Sequence, residues 1–228
     1  MKVNETKVNG SLLPFTGFKP PDPATRALAA KKFEEGRAEE ARNARAARLK
    51  NSDIPKRYRS ASLNGCPQTV RDWVDNFGAG TNNGLVFHGS VGTGKTYAAC
   101  AVLVALADRF SVRFTTGSDM LRAIRSTYSG SVEREDDVVR SYLSQHILVI
   151  DDIGKEQATD WALSQLFSIV DSRYRQGHPT IFTCQTAGDG LIRSLSVHGD
   201  SQTAEAIVDR MRDCVSVKFS GQSRRGHR

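Results

Sequence analysis

The sequence contains no apolar run that approaches the roughly 18 residues needed for a membrane-spanning helix. Its first residues, Met1 to Glu5, do not have the apolar character of a secretory signal peptide. Cysteine is scarce, and the four that occur have neither CxxC spacing nor histidines at metal-ligand spacing: Cys66, Cys100, Cys184 and Cys214. These absences argue against a membrane protein, a disulfide framework and a zinc site. We therefore expect a cytoplasmic protein whose cysteines are small buried side chains.

The charge of the chain is unevenly distributed. Lysine and arginine number 32 against 25 aspartates and glutamates, which gives a formal net charge of +7. The first 60 residues hold 14 basic and 7 acidic residues, and the remainder is balanced. A basic excess usually indicates an anionic partner such as nucleic acid. Here the excess belongs to the N-terminal segment, so that segment needs its own explanation.

The N-terminal segment combines a proline-bearing leader with a charged stretch rich in alanine. Residues Ala24 to Lys50 contain no proline and predict one long helix. The stretch has few large apolar residues, namely Leu28, Phe33 and Leu49, which are too few to build a core. The helix is therefore a solvated linker, is docked on the rest of the chain, or binds a partner.

From Ile54 onward, short apolar runs alternate with amphipathic stretches, which predicts an α/β fold with a parallel sheet. The predicted strands cover 84–88, 112–115, 147–150, 179–184 and 215–219. The predicted helices cover 95–110, 118–128 with Ser118 as N-cap, 133–143, 159–176 and 204–214. The pattern thus divides the chain into an N-terminal arm, 1–53, and an α/β domain, 54–228.

A phosphate-binding loop follows the first predicted strand. The residues Gly89, Ser90, Val91, Gly92, Thr93, Gly94, Lys95 and Thr96 match GxxxxGK[ST] between a strand and a helix. In such a loop the backbone amides cradle phosphate oxygens, and Lys95 offers a charge to the β and γ phosphates. The hydroxyl of Thr96 is then a candidate ligand of Mg²⁺.

Two carboxylates follow the third predicted strand. The apolar run Ile147–Ile150 ends at Asp151 and Asp152. This arrangement brings Asp151 to the metal opposite Thr96 and leaves Asp152 as the general base that polarises water. Together the two motifs predict hydrolysis of ATP or GTP with Mg²⁺.

An ordered set of further motifs resembles the DnaC and DnaI replicative-helicase loaders and the related IstB transposition ATPases, in the AAA+ class. The resemblance covers Ile54 to about Arg225. It is carried by IPKRY (54–58), NGLVFHGSVGTGKTYAA (83–99), LVIDDIGKE (148–156), VDSRY (170–174), PTIFTCQT (179–186), VDRMR (208–212) and FSGQSRR (219–225). The resemblance implies an AAA+ P-loop fold with a mostly parallel five-stranded sheet flanked by helices, preceded by a helical N-terminal arm.

The resemblance also implies roles for residues outside the phosphate loop. Arg210, in VDRMR, matches the arginine finger that reaches the ATP of a neighbouring subunit, which requires assembly into a ring or spiral. Gln185 takes the sensor I position, where the family usually has asparagine, and Thr183 is a nearby substitute. Two further departures are Ala206, where some loaders have a second arginine, and Asp152 in place of glutamate. The shorter carboxylate suggests slow turnover.

The family's function implies partners for the chain. The resemblance predicts an ATPase that uses ATP and Mg²⁺, binds a DnaB-type replicative helicase through the N-terminal arm and helps place it on single-stranded DNA. An acidic surface of the helicase would suit the basic arm. Arginines on the arm are also candidates for DNA contact: Arg37, Arg42, Arg45 and Arg48.

Three other interpretations stay open at the level of sequence. An IstB-like transposition helper that acts on duplex DNA would share every ATPase motif. A P-loop kinase would need an acceptor pocket and an arginine-rich lid, for which Arg173 and Arg175 alone are insufficient. A nucleotide-binding adaptor would bind ATP without hydrolysing it.

Overall fold

The computed structural model describes residues 22–78, 83–129, 134–154, 159–221 and 223. The chain divides into two compact units, 1–40 and 41–228. The boundary between them falls within the first helix, earlier than the change of pattern at Ile54, and the assignment of 1–53 as a functional arm stays a prediction. Within the described residues, no helix has both the length and the apolar character required to cross a membrane.

The helices and strands follow the predicted α/β order. The helices are α1 (Pro23–Lys50), α2 (Gln68–Asp75), α3 (Lys95–Leu106), α4 (Gly117–Ser126), α5 (Glu135–Leu143), α6 (Asp160–Arg175), α7 (Asp189–Leu195) and α8 (Ser201–Arg212). The strands are β1 (Leu85–Gly89), β2 (Val112–Thr116), β3 (Ile147–Ile153), β4 (Thr180–Cys184) and β5 (Val215–Phe219). Short 3₁₀ turns occupy Lys56–Tyr58 and Thr127–Ser129.

The five strands form one sheet in the order β2-β3-β4-β1-β5, and all four neighbouring pairs are parallel. The predicted parallel sheet flanked by helices, preceded by a helical N-terminal segment, is therefore confirmed. The central strands are apolar on both faces because helices cover both sides. Ile147 and Val149 belong to the apolar cluster around α3, whereas Leu148 and Ile150 belong to the cluster around α6 and α8. This topology brings the ends of β1, β3 and β4 to a single edge.

Several predicted boundaries differ from the structure. Helix α4 begins at Gly117, and its N-cap is Thr116 rather than Ser118, because the Thr116 hydroxyl accepts from the backbone N–H of Asp119. Helix α3 ends at Leu106, where turn hydrogen bonds from Arg109 and Phe110 close it. The short helices α2 and α7 were not predicted, because stretches of eight and seven residues are only about two turns long and give a helical pattern little length to repeat.

The second unit begins with the last part of α1, and this part contacts the sheet domain. Leu49 packs against the core cluster around α3. Arg45 pairs with Asp108, and Arg48 donates to the carbonyl oxygens of Ala107 and Asp108 at 3.1 and 2.7 Å. Two of the four arginines considered for DNA contact thus have partners at the end of α3.

Candidate functional site

The phosphate-binding loop lies between β1 and α3, and its backbone conformation requires glycine. Gly89, Gly92 and Gly94 have φ values of 137°, 85° and 103°, in the region that L side chains rarely adopt. A Cβ atom at Gly89 would lie 1.9 Å from the carbonyl oxygen of Phe219 on the neighbouring strand. The remaining loop residues are Ser90, Val91 and Thr93, and α3 begins at Lys95. The loop therefore has the strand-loop-helix setting that the motif predicts.

The ammonium group of Lys95 lies against its own loop. Its Nζ donates to the carbonyl oxygens of Gly89 and Ser90 at 2.7 and 2.9 Å, and only 7% of the residue is exposed. The Thr93 hydroxyl also donates to the Ser90 carbonyl oxygen, at 2.8 Å. A bound phosphate is a stronger acceptor than a neutral carbonyl, so the ammonium group can exchange its two carbonyl acceptors for phosphate oxygens when a phosphate binds. The loop thus holds its cation next to the amides that would surround a phosphate.

The two predicted metal ligands meet beneath this loop. The Thr96 hydroxyl lies 3.0 and 3.1 Å from the two carboxylate oxygens of Asp151, which is 5% exposed. Mg²⁺ takes oxygen ligands and is usually held by one or two carboxylates together with substrate phosphates and waters. One hydroxyl and one buried carboxylate beside a phosphate loop fit that ligand set. Thr96 and Asp151 are 55 residues apart in sequence, and the fold brings them together.

A third side chain, that of Thr183, also contacts Asp151. The hydroxyl of Thr183, on β4, donates to Asp151 Oδ1 at 2.6 Å and accepts from the backbone N–H of Asp152 at 2.9 Å. Thr183 is fully buried. Asp152 itself is half-buried and has a φ of 59°, which is unusual for a residue other than glycine. Such backbone conformations concentrate at functional sites, where neighbouring contacts hold them.

Gln185, predicted at the sensor I position, has a different relation to the loop. It is exposed and directly follows β4, and its backbone carbonyl accepts from the N–H of Gly89 at 3.0 Å. Of the two residues considered for sensor I, Thr183 is therefore the one whose hydroxyl contacts the carboxylate of Asp151. A role for the side chain of Gln185 stays a prediction.

Arg210 lies outside this constellation. It is on α8, and it lines a cleft with Gly84, His178 and Thr180, which lie at or just before the starts of β1 and β4. The phosphate loop follows the C-terminal end of β1. Because the strands are parallel, the starts of β1 and β4 lie at the opposite edge of the sheet. The guanidinium group of Arg210 contacts Asp171 on α6 of the same chain. Within one chain, the predicted finger and the phosphate loop are therefore at opposite edges of the sheet.

Burial and local charge perturb the titratable groups near the loop. Burial lowers the pKa of His88, at the end of β1, and the cations Lys218 and Lys95 lower it further. Burial also raises the pKa of Cys100 to about 12 and that of Cys184 to about 11, so both thiols are protonated at neutral pH. Cys66, Cys100 and Cys184 are buried and Cys214 is half-buried. The protonated state of Cys100 and Cys184 suits packing rather than nucleophilic chemistry.

An aromatic and basic cluster was missed by the sequence reasoning. The rings of Tyr128 and Trp161 meet edge to face at 6.1 Å, and the Arg125 guanidinium lies 4.5 Å from the Trp161 ring centre. Tyr128 is 54% exposed, Arg125 is exposed, and the Tyr128 hydroxyl donates to Glu135 at 3.0 Å. No spacing rule connects Tyr128 with Trp161, because only the tertiary fold brings the 3₁₀ turn after α4 next to the start of α6.

Comparison with known proteins places this site in a family. The sequence profile of the family described as IstB-like ATP binding protein matches residues 40–228. The replicative helicase loader DnaC of Escherichia coli K12 is 28% identical over 144 residues, which are 63% of this chain and 55% of that protein. An ATP-binding protein of an insertion sequence in Mycobacterium tuberculosis is also 28% identical, over 61% of this chain and 52% of that protein.

The fold agrees with these sequence relationships. A crystal structure of the DnaC helicase loader superposes with a TM-score of 0.61 and 24% identity, covering 73% of this chain and 100% of that one. The chain spans about half the length of the curated relatives it matches. With the phosphate loop, the paired carboxylates and the parallel sheet in place, the chain belongs to the IstB-like ATP-binding family and is homologous to the DnaC and DnaI helicase loaders.

Proposed function

We propose that this chain is an ATP-dependent replicative-helicase loader. In this account, ATP-bound subunits assemble, engage a DnaB-type ring helicase, help deposit it on single-stranded DNA and release it after hydrolysis. The observation that carries the ATPase part is the convergence of Thr96 and Thr183 on the buried Asp151 beneath the phosphate loop. The homology to helicase loaders supports the choice of partner.

ATP binding follows from the loop and the start of α3. The backbone N–H groups of 89–96 and the helix N-terminus surround the phosphates, and Lys95 exchanges its loop carbonyls for the β and γ phosphate oxygens. Thr96 and Asp151 would hold Mg²⁺, which neutralises charge on the phosphates when it is bound. The hydroxyl of Thr183 fixes the Asp151 carboxylate in this position.

Hydrolysis requires a group that polarises water near the γ phosphate. We assign this role to Asp152, whose backbone N–H is anchored by the Thr183 hydroxyl next to the metal-side carboxylate. The anchor restricts the backbone at the point where it adopts a positive φ. The aspartate side chain is shorter than the glutamate used by some relatives, and we expect turnover to be slow, as a timing switch requires.

Completion of the site requires a second copy of the chain. Arg210 is at the opposite sheet edge from its own phosphate loop, so it is available to the loop of a neighbour rather than to its own. An arginine supplied in trans stabilises charge on the transferred phosphoryl group and typically contributes about 10³–10⁵ in kcat. We therefore propose that hydrolysis is coupled to assembly into a ring or spiral.

The aromatic cluster supports contact with single-stranded DNA. Bases of an unpaired strand stack on exposed aromatic rings, and arginine adds attraction to both bases and phosphates. Tyr128, Trp161 and Arg125 supply these groups within one patch of the ATPase domain. Because Arg45 and Arg48 are engaged with the end of α3, the patch is a better candidate for DNA contact than this part of α1.

The helicase-binding role belongs to the N-terminal arm, 1–53. The described helical part of unit 1, 23–40, is exposed throughout and includes Leu28 and Phe33, at 57% and 68% exposure. This stretch is itself balanced, with four basic and four acidic side chains, whereas the whole arm 1–53 holds 11 basic and 7 acidic residues. The net positive charge of the arm suits an acidic protein surface. We expect the helicase to supply that surface, in the cytoplasm where replication takes place.

A second candidate function is that of an IstB-like transposition helper. The description of the family profile, IstB-like ATP binding protein, and the relative from an insertion sequence favour it. A helper of this kind would remodel duplex DNA and recruit a transposase, whereas a loader would prefer a single strand. Parallel binding assays with single-stranded and duplex oligonucleotides in the presence of ATP distinguish the two.

The direct test of the proposed partner is co-purification with the cognate replicative helicase. The full chain and a version starting at Asn51 would each be mixed with the helicase and separated by size. We expect the full chain to co-elute with the helicase and the shortened version to bind ATP but not the helicase. Undiminished capture by the shortened version would exclude the arm as the binding element.

A further inference from the structure

Arg210 does not extend freely from α8. Its Nε and Nη2 atoms both lie 3.2 Å from Oδ1 of Asp171, a carboxylate on α6 with 16% of its side chain exposed. The other oxygen of Asp171, Oδ2, pairs with Arg175 Nε at 2.9 Å. One half-buried carboxylate therefore links two arginines, each through a different oxygen.

The same face of α6 also orients the guanidinium plane. The centre of the Arg210 guanidinium lies 5.6 Å from the Phe167 ring and 5.9 Å from the Tyr174 ring. Phe167, Asp171 and Tyr174 follow the helical spacing that puts side chains on one face. Tyr174 is itself held, because its hydroxyl donates to Asp213 at 2.7 Å. The carboxylate and the two rings thus restrict the direction of Arg210.

The contacts leave one edge of the guanidinium weakly occupied. Arginine has five N–H donors, and Nε and Nη2 face Asp171. Among the described residues, the Nη1 side has only a 3.5 Å ion pair with Asp209, whose side chain is 58% exposed. An anion from another molecule can reach this edge without breaking the contact with Asp171.

We propose that Asp171 is the positioning residue for Arg210 in the assembled ATPase. The proposal rests on the proposed function, in which Arg210 acts on the ATP of a neighbouring subunit. Asp171 holds the Nε edge so that the Nη1 edge faces outward at a fixed angle toward the neighbour's γ phosphate. A misplacement of about 1 Å in such a group can lower the rate by about 100-fold, so loss of the contact with Asp171 should lower kcat.

The first test compares variants of the two carboxylates near Arg210. Asp171→Ala should lower kcat by about 100-fold and leave the Kd for ATP unchanged, because the phosphate loop is at the other sheet edge. Asp171→Asn should recover much of the rate, since its amide oxygen still accepts from Nε and Nη2. Asp209→Asn, which alters the weak 3.5 Å contact with Arg210 and an exposed 3.2 Å pair with Arg212, is the matched control and should stay near wild type. A faster Asp171→Ala enzyme would overturn the proposal and identify the carboxylate as a restraint on Arg210.

Subunit mixing then separates the role of Asp171 from that of Arg210. Asp152→Asn subunits would bind ATP and carry an intact Arg210, but would not hydrolyse ATP. Mixed with them, both Arg210→Ala and Asp171→Ala subunits should regain ATPase activity, because each then receives a correctly held finger from its neighbour. When the subunit mixed with Arg210→Ala carries both Asp171→Ala and Asp152→Asn, the ATPase activity should not recover.

The outcomes of the mixing experiment are distinguishable. If the Arg210→Ala mixture fails to recover, the trans role of Arg210 is wrong and the role of Asp171 falls with it. If the Arg210→Ala mixture recovers and the Asp171→Ala mixture does not, the trans role stands and the positioning role of Asp171 is excluded. Recovery in both mixtures is the result that we expect.

Discussion

The hydroxyl of Thr183 joins the two carboxylate residues of the site, donating to Asp151 at 2.6 Å and accepting from the backbone N–H of Asp152 at 2.9 Å. The fully buried side chain has no other polar group, so both contacts depend on a single oxygen atom. Thr183 therefore couples the position of the metal-side carboxylate to the backbone of the proposed general base.

The first prediction concerns this coupling. Thr183→Val keeps the shape of the side chain but removes the hydroxyl, and with it the hydrogen bonds to Asp151 and to the Asp152 N–H. We expect at least about a tenfold fall in kcat, which corresponds to ~1.4 kcal/mol in the barrier. Thr183→Ser, which keeps the hydroxyl, is the control. Steady-state ATPase assays with wild-type kinetics in Thr183→Val would show that the hydroxyl is dispensable.

The second prediction concerns single-stranded DNA. Trp161→Ala should weaken binding of an oligo(dT) strand by about 1–3 kcal/mol, because it removes one stacking surface. Arg125→Ala should also weaken binding, since its guanidinium lies over the Trp161 ring. Arg122→Ala, on the same helix, removes an equal charge that is already paired with Asp119 at 2.7 Å, and it should have little effect. The affinity of each variant for the strand can be measured by fluorescence anisotropy. If both arginine variants lose the same affinity, the contribution of Arg125 is a general effect of charge and not of its place in the patch.

The third prediction concerns a buried cation that stabilises the fold. Arg173 is fully buried on α6 and donates to the carbonyl oxygens of Tyr142, Gln145 and Pro179 at 2.8–2.9 Å. Burial lowers its pKa to about 9, which still leaves it charged at neutral pH. Arg173→Met would leave these carbonyls without a donor and should lower the free energy of unfolding by more than about 3 kcal/mol.

Arg175→Met serves as the comparison for this variant. Arg175 is two residues further along α6, and 70% of its side chain is exposed. Loss of its ion pair should change the free energy of unfolding by less than about 1 kcal/mol. Urea titrations of both variants test the difference, and similar midpoints would argue that the Arg173 contacts contribute little.

The fourth prediction concerns pH. Burial, with help from Lys218 and Lys95, lowers the pKa of His88 below its usual value, so the unfolded chain binds this proton more readily than the folded one. Stability should therefore rise with pH in the window between the folded pKa and about 6.5. Replacing His88 with Gln should flatten the pH dependence of urea unfolding below pH 6.5. A histidine NMR titration midpoint for His88 at or above 6.5 would contradict the prediction.

The phosphate loop was predictable because its residues are contiguous. The glycines, Lys95 and Thr96 form one motif, and Asp151 and Asp152 come directly after the apolar run Ile147–Ile150. The contact between Asp171 and Arg210 was not predictable, since these residues are 39 positions apart and meet only through the packing of α6 on α8. The same holds for Tyr128 and Trp161. Motifs within one stretch of sequence can thus be predicted from the sequence, whereas side-chain contacts between different helices become known only from the tertiary structure.

The start of α4 has two candidate N-cap residues, and the structure uses the one that was not predicted. Both Thr116 and Ser118 are favourable N-cap residues, and the apolar spacing does not decide between them. The structure uses Thr116 because β2 runs directly into the helix at Gly117, which leaves no room for a longer turn. The sequence pattern therefore predicts that a helix is present here but does not predict its first residue.

The central claim is that ATP bound at the phosphate loop drives loading of a ring helicase. The most direct measurement is the amount of cognate DnaB-type helicase retained on closed circular single-stranded DNA, onto which a ring cannot thread from an end. We expect the wild-type chain with ATP to increase retention several-fold, and Lys95→Ala, which lacks the phosphate-binding cation, to leave it at the level of helicase alone. Retention unchanged by the wild-type chain, or equally increased by Lys95→Ala, would contradict the account.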